Sequence, residues 1–271
     1  GGGGGNLVRE AYVTLLVGPF WDLYIRVAGV LFEAIRRYDT TRDIVVLTPG
    51  DEAVVARLRA AYPSVVVLPV APIALPEERK DRRKDLSGIF TKLHLFNLTQ
   101  YDKVAYMDID VLPIHANVTK LFTHFARKKD VAVWKKACRL CFDKINAGVM
   151  VVKPGRRGTT LAHMLEHRLK YVDVEKPTYG DQHWLQLYWE DFGVPLETLP
   201  DAYNTRMWLE LSRERRHKRV KLDDVVMLHF SGSNYKPWVC PRTRRVAYQR
   251  RADALWLGVK NNTCEQFSPW L

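Results

Sequence analysis

Asp108-Ile109-Asp110 closes a short apolar run, Val104-Ala105-Tyr106-Met107. A run this rich in β-formers predicts a buried strand, so two carboxylates at its exit would arrive at the carboxyl edge of a sheet, where open α/β sheets bind ligands. Residues i and i+2 of an extended segment point the same way. Both acids can therefore reach one hard cation while Ile109 turns into the fold. A divalent metal held by few protein oxygens keeps positions open for phosphate oxygens. His229 has a similar station, ending Val225-Val226-Met227-Leu228 and opening Phe230-Ser231-Gly232-Ser233-Asn234-Tyr235-Lys236-Pro237-Trp238. A neutral imidazole is a competent third ligand for a cation such as Mn²⁺. The small residues after it let backbone approach a diphosphate, and Lys236 can neutralise one. Taken singly, D-x-D is more often a surface turn and a strand-end histidine more often a satisfied core group. The combination is what points to metal-assisted phosphate chemistry.

Other routes to phosphate are missing. No G-x-G-x-x-G follows the first strand and no G-x-x-x-x-G-K-[ST] occurs, which removes the dinucleotide fingerprint and the P-loop. Cys138-x-x-Cys141 has no second CxxC or paired His at metal spacing, so zinc is not expected, and four cysteines are too few for a disulfide scaffold. The net charge of +12 and pI near 9.6 call for an anionic partner. Much of that charge lies in the runs Arg79 to Lys84 and Arg213 to Arg219 and in Arg242, Arg244, Arg245, Arg250 and Arg251. The two runs are not interleaved with aromatics, and no nucleic-acid module signature occurs, so nucleic acid is not the expected partner.

The elements that must carry these residues alternate. Strands are predicted at Ala11 to Val17, Asp43 to Leu47, Ser64 to Leu68, the run ending at Asp108, Val131 to Trp134, Ala147 to Val152 and Val225 to His229. Helices are predicted at Asp22 to Arg37, Glu52 to Ala61 capped by Asp51, Ser87 to Leu98, Gly158 to Tyr171, Asp181 to Trp189 and Tyr248 to Leu257. Such alternation predicts an α/β fold with a mostly parallel central sheet flanked by helices. The charged, Pro-rich stretch Pro69 to Asp85 reads as a mobile excursion. With 47% apolar residues and no internal linker, residues 9–271 read as one domain behind a flexible tail or linker at 1–8. No stretch approaches the roughly 18 apolar residues of a membrane span, and the opening residues do not have the charged-then-apolar pattern expected of a secretory leader. Sequons at Asn97, Asn117 and Asn261 permit a luminal home. The compartment stays open between the cytoplasm, slightly favoured, and a Golgi lumen reached through an amino-terminal anchor outside this sequence.

Several blocks then resemble one family in its order. Thr91-Lys92-Leu93-His94, Leu98-Thr99-Gln100-Tyr101 and Met107-Asp108-Ile109-Asp110 are similar to the corresponding run of glycogenin and its relatives in glycosyltransferase family 8. Asn146-Ala147-Gly148-Val149, Gly180-Asp181-Gln182, Leu199-Pro200-x-x-Tyr203-Asn204, His229-Phe230-x-Gly232 and Lys236-Pro237-Trp238 follow. Ala11-Tyr12-Val13-Thr14-Leu15 also resembles the start of galactinol synthases. The resemblance implies a GT-A (Rossmann-like) fold, a UDP-sugar donor, Mn²⁺ with Mg²⁺ as the alternative, and transfer with retention at the anomeric carbon. It makes Asp108, Asp110 and His229 the metal ligands and Lys236 a diphosphate contact. It lines the donor sugar with Lys92, Asn146, Asp181 and Gln182, and brings Leu15, Gly18, Ile109, Ala147, Gly148 and Gly232 against the donor. Trp21 falls where the family tends to place an aromatic against uracil; a core Trp is the equal alternative. Asp181 is the candidate nucleophile or ion-pair stabiliser, with Gln182 its rival and Lys236 serving the leaving group. A homodimer is the assembly that relatives suggest.

One departure bears on the acceptor. Glycogenin glucosylates its own tyrosine shortly after the block matched here by Tyr203-Asn204, yet Thr205 to Asn234 contains no tyrosine. A separate glycan, protein or polyol acceptor is expected instead, and the basic runs suit an anionic one. The expected activity is hexosyl transfer, glucose or galactose, from a UDP-sugar to a hydroxyl. Its rivals are galactinol-synthase-like transfer to a small polyol and a non-catalytic nucleotide-sugar or polyanion binding module.

Overall fold

A computed structural model describes residues 8–18, 20–73, 88–135, 144–156, 158–167, 180–206, 220–232, 236–238 and 247–258. The chain begins β1 (Glu10–Leu15), α1 (Trp21–Arg36), β2 (Asp43–Thr48), α2 (Glu52–Ala61) and β3 (Val66–Pro69). A 3₁₀ helix over Ile89–Asn97 leads into β4 (Lys103–Met107) and β5 (Val111–Pro113). Then come α3 (Lys120–His124), β6 (Val131–Lys135), β7 (Ile145–Val152), α4 (Leu161–Glu166) and α5 (Gly180–Asp191). The described chain ends with β8 (Leu196–Leu199), β9 (Thr205–Arg206), β10 (Met227–His229) and α6 (Ala247–Gly258).

Among the described residues, seven strands form the main sheet in the order β3-β2-β1-β4-β7-β6-β8. All but β7 run in one direction, since β7 is antiparallel to both β4 and β6. The period of two in each strand splits the core. Tyr12, Ile44, Val46, Ala105 and Met107 face α1 and α2, and Val13, Val45, Leu47, Val104 and Tyr106 face α5 and the 3₁₀ helix. Burial on both faces explains why these strands read as continuous apolar runs.

A second sheet, β5-β10-β9, is small but decides the site. α1 sits between the two sheets: Ala28, Leu31, Phe32 and Ile35 meet the main sheet, while Leu23, Val27, Val30 and Ala34 meet Leu112, Leu228, Phe230, Trp238 and Trp256. α1 is thus apolar over most of its circumference, with Arg26 and Glu33 on the exposed remainder. Asp51 caps α2 by accepting from Val54 N at 2.9 Å.

Several predicted elements change. The Ser87 to Leu98 helix is a 3₁₀ helix, with Thr91 N donating to Gly88 O at 2.9 Å. Gly88 at φ +85 starts it, and burial of Phe90 to Leu93, Leu95 and Phe96 on several sides holds the tighter winding against the usual preference for short 3₁₀ runs. The Gly158 to Tyr171 helix is confined to Leu161–Glu166 among the described residues. β5, α3, β8 and β9 are additions, each too short to show periodicity. Both basic runs, all four cysteines and most of the Pro69 to Asp85 stretch lie outside the described residues. No helix among the described residues is long and apolar enough to cross a membrane.

Asp39 ties the α1–β2 connection to the sheet. Its carboxylate accepts from Tyr12 Oη at 3.0 Å, Arg42 Nη1 at 2.7 Å and Thr41 N at 3.1 Å. Burial opposes its charge, but Arg42, the Thr41 backbone and Tyr12 hold its carboxyl below the ordinary value. A depressed carboxyl pKa contributes stability that is complete above the ordinary carboxylate range and is lost as pH falls through the folded value. Asp39→Ala should cost about 3 kcal/mol at neutral pH. Denaturant titrations should also show the variant losing part of the wild-type dependence on pH below about 4; equal acid dependence would contradict the role given to Asp39.

Candidate active site

The main sheet delivers Asp108 at the carboxyl edge of β4, where Asp108 N donates to Gly148 O of β7 at 2.8 Å. The chain then turns, with Val111 N donating to Asp108 O at 3.0 Å, and enters β5. β5 pairs antiparallel with β10 so that Val111 faces His229, and Phe230 N extends the ladder to Asp110 O at 3.0 Å. Register alone thus sets Asp110 beside His229. Asp108, Asp110 and His229 offer ligand atoms that all lie within 4.8 Å of one another, with His229 Nε2 3.5 Å from Asp110 Oδ1. A cation with bonds of about 2.1 Å needs donors about 3 to 4.2 Å apart, so the His229–Asp110 pair at 3.5 Å is already in range and a slight closing of the set would complete a site for a hard or borderline divalent ion.

Gly148 is required by that closeness rather than by its backbone angles. A Cβ there would lie 2.9 Å from His229 Nδ1 and 3.0 Å from Asp108 Oδ2. Tyr106, two residues before Asp108 on β4, donates its hydroxyl to Asp108 Oδ1 at 2.7 Å. The Lys92 ammonium lies 3.2 Å from the same oxygen. Asp108 Oδ1 is thereby held, and Oδ2 is left toward His229. Burial and then Asp108 push the Tyr106 phenol well above its usual range, so it stays a donor.

Lysines balance the acids. Lys92, carried by the 3₁₀ helix and 5% exposed, bonds Asp181 Oδ2 at 2.5 Å and Ala147 O at 3.4 Å. Burial works against its charge, but Asp108 and Asp181 overcome this and raise its pKa. Lys236 bonds Asp110 Oδ2 and lies 5.5 Å from the Trp238 ring centre. Burial would raise the Asp110 carboxyl; Lys236 and then His229 instead hold it far below the carboxylate range.

Asp181 and Gln182 open α5 just after Gly180, whose φ of +80 favours glycine. Asn146 Nδ2 donates to Gln182 Oε1 at 2.8 Å, and Ala147 N donates to the same oxygen at 3.3 Å. Asp108, Asp110, Asn146, Ala147, Gly148, Asp181, Gln182, His229, Lys92 and Lys236 are thus one connected cluster. Ile109 packs into the fold between two apolar clusters. Leu15 is buried among core residues at the end of β1 and leaves only its backbone for a ligand. Gly18 and Trp21 follow β1, whose register with β4 brings that loop to the same edge. Gly18 has φ +134 and a Cβ there would press on the Tyr24 ring, while Trp21 is half-buried against the core. Gly232, exposed at φ +88, follows Ser231, whose buried Oγ has no hydrogen-bond partner among the described residues.

Two members of the cluster were not singled out from sequence, Tyr106 and Asn204. Tyr106 was within reach, because i and i+2 on a strand share a face. Asn204 sits in a quoted block, yet nothing in its type or spacing announces its contacts with His229 Nδ1 at 2.9 Å and Asn146 Oδ1 at 2.8 Å.

The close approach at Gly148 makes a direct test. Gly148→Ala should cost about 1–3 kcal/mol of stability and weaken divalent-cation binding about tenfold or more by calorimetry. Unchanged binding would contradict the geometry described here.

Residues 76–240 match the model of glycosyl transferase family 8. The chain is 29% identical over 251 residues to a glycogenin of Komagataella phaffii, covering 86% of this chain and 58% of that protein. Galactinol synthase 6 of Arabidopsis thaliana is 26% identical over 262 residues, with 85% of this chain and 74% of that protein covered. Inositol phosphorylceramide glucuronosyltransferase 1, also of Arabidopsis thaliana, is 29% identical over 261 residues, 87% of this chain and 43% of that protein. The chain therefore spans about half the length of several relatives it matches. Among solved structures, the galactosyltransferase LgtC, in complex with donor and acceptor sugar analogs, superposes with TM-score 0.68 at 21% identity over 96% of this chain and 100% of LgtC. GlyE of Streptococcus pneumoniae gives 0.68 at 17% identity over 97% and 63%. These superpositions give the chain the GT-A fold, and the family match over residues 76–240 shows that it belongs to glycosyl transferase family 8.

Proposed function

We propose that this chain is a retaining glycosyltransferase that moves a hexose, glucose or galactose, from a UDP-sugar to a separate hydroxyl acceptor with Mn²⁺, or Mg²⁺ in its place. The observation that carries this reading is the convergence of Asp108, Asp110 and His229 within 4.8 Å at the carboxyl edge of the sheet. Those three would hold the metal, which when bound supplies positive charge to the departing diphosphate. Lys236 contributes a second cation at the same place, the largest electrostatic demand of breaking an anomeric phosphate bond. Gly232 and the buried Ser231 hydroxyl suit the diphosphate oxygens. Gly18 and Trp21 suit the uracil end.

Around the sugar, Lys92, Asn146, Asp181 and Gln182 supply donors and a carboxylate matched to hydroxyls. Gln182 Oε1 already accepts from two N–H groups, which favours a donating role for this residue over attack by its oxygen. Asp181 is then the group suited to stabilise positive charge at the anomeric carbon or to attack it. Lys92 at 2.5 Å holds Asp181 in place. Retention needs either that attack or entry of the acceptor on the face the diphosphate leaves.

A glucuronate donor is the second reading, favoured by the glucuronosyltransferases among the relatives and by a net charge of +12. The excess charge equally suits an anionic acceptor, and whether Arg215 and Arg216 serve it lies outside the described residues. A UDP-release screen across nucleotide sugars with Mn²⁺ separates the donors, because water substitutes for the missing acceptor. Asp110→Asn should lower that turnover about a hundredfold or more with the circular dichroism spectrum unchanged, and full activity would contradict the assigned site. Asp181→Asn should lower kcat more than donor affinity; the reverse pattern would make it a binding residue only.

A further inference from the structure

We propose that Asn204 is a positioning residue that fixes which nitrogen His229 offers to a cation and ties that choice to the amide chain, Asn146 and Gln182, that faces the donor sugar. The proposal deepens the function given above and rests on it for the identity of the ligands. Amide ends and ring tautomers follow from neighbours that can only donate. Two such neighbours are backbone groups: Gly148 N lies 3.2 Å from Asn146 Oδ1, and Ala147 N lies 3.3 Å from Gln182 Oε1. Both side-chain atoms must therefore be oxygens. Asn146 Nδ2 is then the donor to Gln182 Oε1 at 2.8 Å. Asn146 Oδ1 must in turn accept from Asn204 Nδ2, also at 2.8 Å.

Asn204 is left with its oxygen toward His229 Nδ1 at 2.9 Å. An amide oxygen has no proton to give, so the ring proton sits on Nδ1. Nε2, 3.5 Å from Asp110 Oδ1, is the nitrogen on the side of the carboxylates and the one left for a cation. At the far end, Gln182 Oε1 is filled by two donors and its NH₂ is what remains for a sugar hydroxyl. Every bond from His229 through Asn204 and Asn146 to Gln182 donates in one direction. Asn204 is 2% exposed and Asn146 8%, so reversing either asparagine amide would bury an oxygen against an oxygen, and reversing Gln182 would set donor against donor. The backbone holds Asn204 there too, since its N–H closes the turn on Asp201 O at 3.1 Å and the next residue enters β9 beside β10.

Long-range proton–nitrogen spectra of metal-free, ¹⁵N-labelled wild type above neutral pH should show His229 as the Nδ1–H tautomer. The Nε2–H tautomer would overturn the proposal without any variant. Asn204→Leu should give mixed tautomers and raise the Kd for Mn²⁺, read by electron paramagnetic resonance, about ten- to hundredfold. Asn204→Asp keeps an acceptor for His229 but sets an oxygen against Asn146. It should retain the tautomer and bind Mn²⁺ no more weakly, while UDP-sugar turnover falls about tenfold or more. Unchanged tautomer and Mn²⁺ affinity in Asn204→Leu, or unchanged turnover in Asn204→Asp, would overturn the proposal. Wild type that turns over no UDP-sugar would instead sink the function proposed above, and the tautomer would still decide the role of Asn204.

Discussion

The pairing of β5 with β10 is the constraint on which the site depends. Asp110 and His229 are far apart in sequence, and only the antiparallel register Val111 to His229 puts them side by side. A slip of one residue would turn His229 to the opposite face of its strand, because side-chain direction alternates. The register is pinned from both sides. Met227 packs with the main-sheet core, while Leu228 and Phe230 pack with α1 and two tryptophans. α1 therefore acts as the spacer that holds the small sheet at a fixed distance from β4, and with it Asp110 and His229 from Asp108.

Electrostatics explains why so many charged groups tolerate burial there. Three carboxylates, Asp108, Asp110 and Asp181, face two ammonium groups, Lys92 and Lys236, and each acid touches at least one of them. Removing one partner from such a set leaves an uncompensated buried charge, which costs far more than the pair contributes. The arrangement is thus tolerant of ligands that bring balanced charge and intolerant of single substitutions. A divalent cation together with a diphosphate is the balanced kind.

Much of the sheet was legible because its strands are buried on both faces and read as apolar runs, and because Gly, Pro and Asp51 punctuate them. Asp108 and His229 were legible for the same reason, as polar residues at the ends of such runs. What escaped was short or depended on contacts across the fold. β5 and β9 have three and two residues, below any period. The 3₁₀ winding around Lys92 is imposed by packing, not propensity. Tyr106 looked like an ordinary core aromatic, and Asn204 like an ordinary turn residue. Their roles come from which atoms they meet, and spacing says nothing about that.

On the proposed reading one cation joins the protein to the donor, and a single spectrum of that cation tests it. Electron–nuclear double resonance of Mn²⁺ bound with UDP should show one imidazole nitrogen coupling and phosphorus couplings on the same ion, with the nitrogen coupling absent in His229→Ala. Phosphorus couplings with no nitrogen, as expected of Mn²⁺ and UDP free in solution, would contradict the account.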